Sequence, residues 1–314
     1  MANTKLISIV TPCYNEEGNV KEVYERVKKV FDCLGNYDRE HIFIDNASSD
    51  KTVNILRGIA RNDPKIKIII NTRNFGTVRS IYHGLIQASG DAAILLFADL
   101  QDPPEIITDF IKRWEEGHKV IKGIKVLSME NFIMYSFRSF YYFLVNKLSD
   151  VKLDYHFTGF GLYDKKVIEV LRTIDDPYPY LRGIVPELGF ESVAVNYTQE
   201  RRKIGKSANN FYELYDTAML GFTSHSKVPL RLATMLGLAM SFLSFLAGLG
   251  YLIAKLLFWP RFPIGVAPVI ISIFFLFSVL LFFIGILGEY IGLMHMRILN
   301  RPRVIEKERV NFEK

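Results

Sequence analysis

Ile94-Leu95-Leu96-Phe97-Ala98-Asp99-Leu100-Gln101-Asp102-Pro103-Pro104-Glu105 is the stretch that decides the fold. An apolar run stops abruptly at two acids, an amide and two prolines. A buried parallel strand reads this way when its carboxyl end opens into a loop. In open α/β sheets, ligands sit outside the carboxyl ends of the strands. Residues two apart on an extended chain point the same way, which lets Asp99 and Gln101 offer two oxygens to one hard cation. Mg²⁺ or Mn²⁺ with a diphosphate suits such a pair. Pro103-Pro104 stiffens the exit, and Glu105 falls in the first turn of the next helix. The alternative is a plain strand end with a polar turn, and the flanking sequence weighs between the two.

Upstream, the same pattern repeats. Leu6 to Val10 reads as a strand and runs into Thr11-Pro12-Cys13-Tyr14-Asn15-Glu16-Glu17. Val20, Val23, Val27 and Val30 then mark one helical face between Asn19 and Phe31. His41 to Ile44 forms a second strand, ending at Asp45-Asn46-Ala47-Ser48-Ser49-Asp50. A helix carrying Val53, Leu56 and Ile59 leads to a third strand, Ile66 to Ile70, which ends at Asn71-Thr72-Arg73-Asn74-Phe75-Gly76. A helix from Val78 to Ala88 returns to the central strand. Short alternating strands and helices predict a parallel sheet with right-handed crossovers. Every strand ends in a polar cluster, and the clusters meet along one edge, where a nucleotide fits. No Gly-x-Gly-x-x-Gly follows the first strand and no Walker loop is present, which argues against a dinucleotide dehydrogenase and against a P-loop NTPase. Pro12, Tyr14 and Glu16 from the first loop and Asp45 from the second are the candidate nucleotide contacts, since carboxylates suit base and ribose donors. Each of these acids alone also reads as a solvated loop residue or a helix cap, Ser48, Ser49 and Asp50 in particular.

Composition explains the remainder. The 314 residues carry a net charge of +6. Leu232 to Ala254 and Phe262 to Gly288 contain no charged residue, and each is long enough to cross a bilayer as a helix. No apolar signal segment opens the chain, so residues 1 to about 225 are expected in the cytosol. Two cysteines, Cys13 and Cys33, match a reducing compartment. The basic residues gather at the membrane flanks, which points to anionic lipid and away from nucleic acid.

The four motifs at 11–17, 44–52 (Ile-Asp-Asn-Ala-Ser-Ser-Asp-Lys-Thr), 73–76 (Arg-Asn-Phe-Gly) and 98–105 together resemble the family 2 inverting glycosyltransferases. Within them the chain is similar to the polyisoprenyl-phosphate glycosyltransferases over nearly its whole length. That resemblance implies a GT-A fold, a Rossmann-like, mainly parallel α/β sheet. It also implies a nucleotide-sugar donor, UDP-glucose foremost, a Mg²⁺ or Mn²⁺ cofactor, and a polyprenyl-phosphate lipid acceptor whose phosphate oxygen attacks the anomeric carbon. By the same resemblance Pro12, Tyr14, Glu16, Asp45, Asn74 and Gly76 contact substrate, and Asp99 and Gln101 hold metal and diphosphate, with Asp99 counted as catalytic. Two departures stand out. The family usually reads Asp-Ala-Asp where this chain has Phe97-Ala98-Asp99. The family's Gly-Asp-Phe-Arg-Leu stretch, whose acid is placed near the acceptor, reads Thr158-Gly159-Phe160-Gly161-Leu162 here, leaving Asp154 as the nearest upstream acid and the second catalytic candidate.

The second half reads toward lipid. Phe132 to Leu148 is aromatic and aliphatic all round, with Arg138 and Lys147 able to meet phosphate. The run Glu200-Arg201-Arg202-Lys203-Ile204-Gly205-Lys206 resembles the family's acceptor loop, in which Arg201, Arg202, Lys203 and Lys206 clamp phosphates. Phe211 to Phe222 predicts an interfacial helix. Lys227 and Arg231 before the first span, and Arg297, Arg301, Arg303, Lys307 and Arg309 after the second, place both ends in the cytosol by the positive-inside rule. The expected domains are a catalytic unit over 1–210, an interfacial helix over 211–227 and a two-helix anchor with a basic tail over 228–314, multi-pass in the inner (plasma) membrane. Glycines on both spans, Gly237, Gly248 and Gly250 with Gly285, Gly288 and Gly292, favour a homo-oligomer. Two other readings are a non-catalytic membrane scaffold, suggested by Phe97 and Gly159, and a processive polysaccharide synthase, which the absence of Gln-x-x-Arg-Trp disfavours.

Overall fold

The computed structural model describes residues 4–127, 157–200, 228–257, 266–299 and 301–312. Four strands carry the sequence pattern above: β1 (Lys5–Cys13), β2 (Tyr37–Asp45), β3 (Ile66–Asn71) and β4 (Ala92–Leu95). β2 and β4 both lie parallel to β1, and β3 lies parallel to β2, so all four carboxyl ends share one edge. Their near-continuous apolar runs follow from burial on both faces. Alternate residues feed two cores. Ile9, Phe43 and Ile94 join α1 (Val20–Asp32), α2 (Thr52–Asn62) and α4 (Ile107–Glu115) on one face. Val10, Ile42, Ile44 and Leu95 join α3 (Thr77–Ile86) and α5 (Lys165–Thr173) on the other. α1 buries Val20, Val23, Val27 and Phe31, the helical stripe that the sequence predicts.

The other half of the sheet is mixed. β5 (Val120–Leu127), β6 (Phe157–Asp164), β7 (Ser192–Thr198) and β8 (Glu306–Val310) complete the order β7-β5-β6-β4-β1-β2-β3-β8. β6 runs antiparallel to both β4 and β5, and β8 antiparallel to β3. Four of the seven pairings are parallel, which makes the sheet mixed, with its parallel part at the centre. A short helix, α6 (Leu181–Glu187), packs with α3 and α5.

Two long helices follow, α7 (Val228–Leu257) and α8 (Val266–Ile298). Among the described residues one stretch, Phe275–Ile298, has the length and apolarity of a membrane span, with a mean hydropathy of 2.1. Its large apolar side chains, Phe277, Leu281 and Phe282 among them, are exposed. The end of α8 is tied to the sheet and its covering helices. Leu293 packs with Tyr180, Tyr178 and Val78, and Arg297 lies 3.1 Å from Asp176. The chain then returns to the sheet as β8. Arg303 donates to the Ile174 and Asp176 carbonyls and sits over the Tyr82 ring, and Asn311 donates to the Ala60 and Ile66 carbonyls at 2.9 Å each. Residues 306–310, read from sequence within a basic tail, therefore form an edge strand that covers β3.

Candidate functional site

The loops that leave β1, β2 and β3 are laced into one floor. Asn15 N–H donates to Ser48 Oγ at 2.9 Å, and Asn15 Oδ1 accepts Ser49 N–H at 2.8 Å. Glu16 N–H donates to Thr52 Oγ1, and Glu17 exchanges bonds with Asp50 and Lys51 N–H. Buried Asn46 then joins the second loop to the third. Its Oδ1 accepts Phe75 N–H, Ser80 Oγ and Asn71 Nδ2, while its Nδ2 donates to Asn74 Oδ1 at 2.7 Å. Asn46 follows Asp45 directly in sequence, and sequence reasoning passed over it because its partners are 25 to 34 residues away.

Backbone strain marks this edge. Asn15, Ala47 and Leu100 take positive φ values of 55°, 62° and 55°, one in each loop after β1, β2 and β4. Such conformations cost energy in non-glycine residues and cluster at functional sites. At Leu100 the reason is visible. Its side chain is buried in the core, and the left-handed turn carries Asp99 and Gln101 outward around it. Asp99 Oδ1 accepts Gln101 N–H at 3.3 Å. Asp99 and Gln101 are thus brought together by a side-chain-closed turn, not by the extended alternation inferred from the sequence.

The remaining predicted residues fall around this floor. Pro12 is half-buried at the end of β1, Tyr14 is exposed, and Glu16 is buried with its carboxylate accepting from Asn19. Asp45 is fully buried and accepts from the Ser48 N–H and hydroxyl, so its oxygens shape the second loop. Burial raises the Asp45 carboxyl, against the Ser48 hydrogen bonds, and burial followed by Asp45 raises the neighbouring Cys13 thiol. Both cysteines are free. Asn74 is exposed, and Gly76, at φ 85°, opens α3. Asp154, Arg138, Arg201, Arg202, Lys203 and Lys206 lie outside the described residues.

The two departures from the family pattern have structural causes. Phe97 is half-buried and packs against both cores, so it fills space between the helical layers where the family's acid would need water or a cation. Gly159 adopts φ +102°, and a Cβ on Gly161 would lie 2.2 Å from the Ile121 carbonyl oxygen across the strand pair. At Gly161 this backbone admits no arginine without moving β5 from β6, and at Gly159 an acid would carry the strain of a left-handed backbone and crowd Leu95 Cδ2 at 3.2 Å. Asp102 does not replace the missing acid. It is 3% exposed and accepts from the Tyr197 hydroxyl, and burial lifts its carboxyl to about 6 despite Lys125 and that hydrogen bond.

Among the described residues no three His, Cys, Asp or Glu side chains gather as a metal cluster. The pair Asp99 and Gln101 nevertheless fits a hard divalent cation, because Mg²⁺-type sites use one or two protein oxygens and take the rest from water and substrate phosphate. Asp99 is half-buried, and among the described residues Gln101 Oε1 accepts one hydrogen bond, from Gln199 at 3.0 Å. Sequence reasoning also missed Arg26, whose guanidinium lies 2.6 Å from Glu105 and 3.0 Å from Glu200. It tethers the helix start after the Asp99 loop to the exit of β7.

A profile of glycosyl transferase family 2 matches residues 8–172. The SfII prophage-derived bactoprenol glucosyl transferase of Shigella flexneri is 34% identical over 304 residues, covering 96% of this chain and 97% of that protein. YkcC, an uncharacterised glycosyltransferase of Bacillus subtilis, is 33% identical over 308 residues, covering 98% and 94%. Among solved structures, glucosyl-3-phosphoglycerate synthase from Mycobacterium tuberculosis, crystallised with Mn²⁺, uridine diphosphate and phosphoglyceric acid, superposes with a TM-score of 0.50. That likeness, at 20% identity over 70% of this chain and 76% of the other, is one of fold.

Proposed function

The chain belongs to glycosyl transferase family 2, and we propose that it is the membrane-anchored, inverting member that moves glucose from UDP-glucose to undecaprenyl phosphate. Family membership makes it a glycosyltransferase with a GT-A-type sheet; donor, acceptor and residue roles are our reading. The observation that carries the reading is the Asp99–Gln101 turn at the carboxyl end of a central parallel strand, beside three interlaced loops. The relative named for bactoprenol glucosyl transfer aligns across both the sheet and the long C-terminal helices, which supports the lipid acceptor.

In this reading Tyr14 and the floor built by Pro12, Glu16, Asp45, Asn74 and Gly76 hold the nucleoside. Asp99 and Gln101 hold Mg²⁺ or Mn²⁺, which when bound supplies positive charge to the leaving diphosphate. The acceptor phosphate is already an anion at neutral pH. Its oxygen forms a bond to the anomeric carbon as the bond to the diphosphate oxygen breaks on the opposite side, so the configuration inverts and no proton needs removal. Catalysis then rests on positioning and on stabilised charge, and it tolerates Phe97 and Gly159 where the family has acids. Arg138, Arg201, Arg202, Lys203 and Lys206 are proposed to gather the acceptor and donor phosphates, with Asp154 as the second catalytic candidate. α7 and α8 would both cross the inner membrane, 211–227 would lie at its surface, and both termini would be cytosolic. Glycines on the two helices would pack copies into a homo-oligomer.

The test is transfer by purified full-length protein in detergent with undecaprenyl phosphate, Mn²⁺ and a panel of labelled nucleotide sugars. Lipid-extractable label from UDP-glucose supports the proposal. Label from another donor alone reassigns the sugar, and no label with intact nucleotide binding favours a non-catalytic scaffold.

A further inference from the structure

β7 lies at one edge of the sheet, three positions from β4, yet its exit returns to the loop after β4. Tyr197 Oη donates to Asp102 Oδ1, Glu200 N–H donates to the Gln101 carbonyl at 2.9 Å, and Gln199 Nε2 donates to Gln101 Oε1 at 3.0 Å. Arg26 braces the junction from α1 through Glu105 and Glu200. The first two bonds and the Arg26 brace already fix the main chain of the loop. The Gln199 bond adds one thing to them, the orientation of a single side-chain amide.

An amide oxygen has two acceptor positions, and Gln199 takes one of them. We propose that Gln199 is a positioning residue: it holds the Gln101 side chain so that the second acceptor position of Oε1 serves the divalent cation shared with Asp99. This rests on the reading of Asp99 and Gln101 as the cation-holding pair. The physical reason is that a free glutamine side chain samples many rotamers, and a ligand held in one of them beforehand binds more tightly. The need is acute here, because Phe97 leaves the site with one carboxylate, and Gln101 must carry more of the coordination than it would beside two acids.

The measurement is Mn²⁺ affinity of full-length protein in detergent with UDP present, read by electron paramagnetic resonance of free Mn²⁺. Gln199→Leu keeps the side chain's bulk and removes its donor. It should weaken Mn²⁺ binding by about ten-fold, the scale for partners that orient metal ligands, with an unchanged melting temperature. Transfer should be restored by raised Mn²⁺. Thr198→Ala, an exposed neighbour, should bind as the parent does. In a double-mutant cycle, adding Gln199→Leu to Gln101→Leu should cause no further loss, since the effect passes through Gln101. Parent-like affinity in Gln199→Leu, a further loss in the double variant, or a fall in melting temperature that accompanies the weakened binding overturns the proposal. Asp99→Ala separates the two levels. If it too binds Mn²⁺ as the parent does, the cation-site reading itself fails. If it loses Mn²⁺ while Gln199→Leu does not, only the role of Gln199 fails.

Discussion

Restoring the family's residues at 159 and 161 should damage the protein. A Cβ added to Gly161 would stand 2.2 Å from Ile121 O, 3.3 Å from Ile121 C and 3.4 Å from Lys122 Cα. All three are backbone atoms of β5, so no side chain can swing aside, and relief requires prising β5 from β6. Overpacking of this kind costs roughly 3 kcal/mol for Gly161→Ala alone, the upper part of the usual range. In a domain of this size that corresponds to a melting temperature lower by roughly 6–12 °C. Gly159→Asp adds strain of roughly 1–3 kcal/mol, because φ +102° is unfavourable for any residue with a Cβ. The two sites share one strand, so their effects should not add simply. Thermal unfolding of each single variant and of Gly159→Asp/Gly161→Arg, followed by far-ultraviolet circular dichroism in detergent, measures this. A Gly161→Ala variant that melts within a degree of the parent refutes the reasoning, and so does a folded double variant with raised transfer activity.

Three further outcomes are expected. Burial lifts Asp102 from 3.8 to about 6, so its contribution to stability is complete below pH ~4 and lost as pH rises through 6, by ~3 kcal/mol. Carboxylates held low by cationic or hydrogen-bonding partners, such as Glu105 and Glu306, act in the opposite sense but below about pH 5, and Asp45 is also raised. Asp102→Asn measured against the parent in EDTA should therefore gain relative stability between pH 4 and 7, and a flat difference would contradict the buried-carboxylate assignment. Phe97→Asp should cost roughly 3 kcal/mol in urea denaturation, because the ring packs against both cores, while it raises Mn²⁺ affinity by adding a second carboxylate; an unchanged urea midpoint would show that the ring is not structural. Removing residues 303–314 strips β8 from β3 and should cost roughly 3 kcal/mol in lost ladder bonds. It also bares an edge carrying Ile68, Ile69 and Ile70, so size-exclusion chromatography should show association, and a monodisperse profile at the parent melting temperature would refute this.

The sequence disclosed the centre of the fold and obscured its edges, for physical reasons. β1 to β4 are buried on both faces and therefore write apolar runs at 9–10, 42–44, 68–70 and 92–96, broken upstream by Ser8, by Asp38 to His41 and by Lys67, while α1 and α2 write helical stripes. β8 alternates Glu306, Lys307, Glu308 and Arg309, the composition of a solvated tail, and the fact that makes it a strand is the open edge of β3 far away in sequence. Arg303 and Arg309 are accordingly engaged by the protein itself, one at carbonyls after α5 and the other at Glu306. Asp99 and Gln101 could be identified because an apolar run ending in oxygen donors is a local signal. Their turn could not, since it depends on Leu100 being drawn into the core in a left-handed conformation. Asn46, Arg26 and Gln199 work through partners distant in sequence, so their roles could not be read locally, even though Asn46 lies within the 44–52 motif.

Transfer of labelled glucose from UDP-glucose to undecaprenyl phosphate, run side by side for the parent and Asp99→Ala, addresses the proposed activity at its root. The parent should place label in the organic phase. Asp99→Ala should lose at least ~100-fold of that rate, the scale of a lost charge-stabilising group. It should melt close to the parent, since Asp99 is half-buried and its one hydrogen bond among the described residues is a 3.3 Å contact within its own turn. Equal transfer by both proteins would contradict the assignment of Asp99, and no transfer by a parent that still binds UDP would contradict the activity itself.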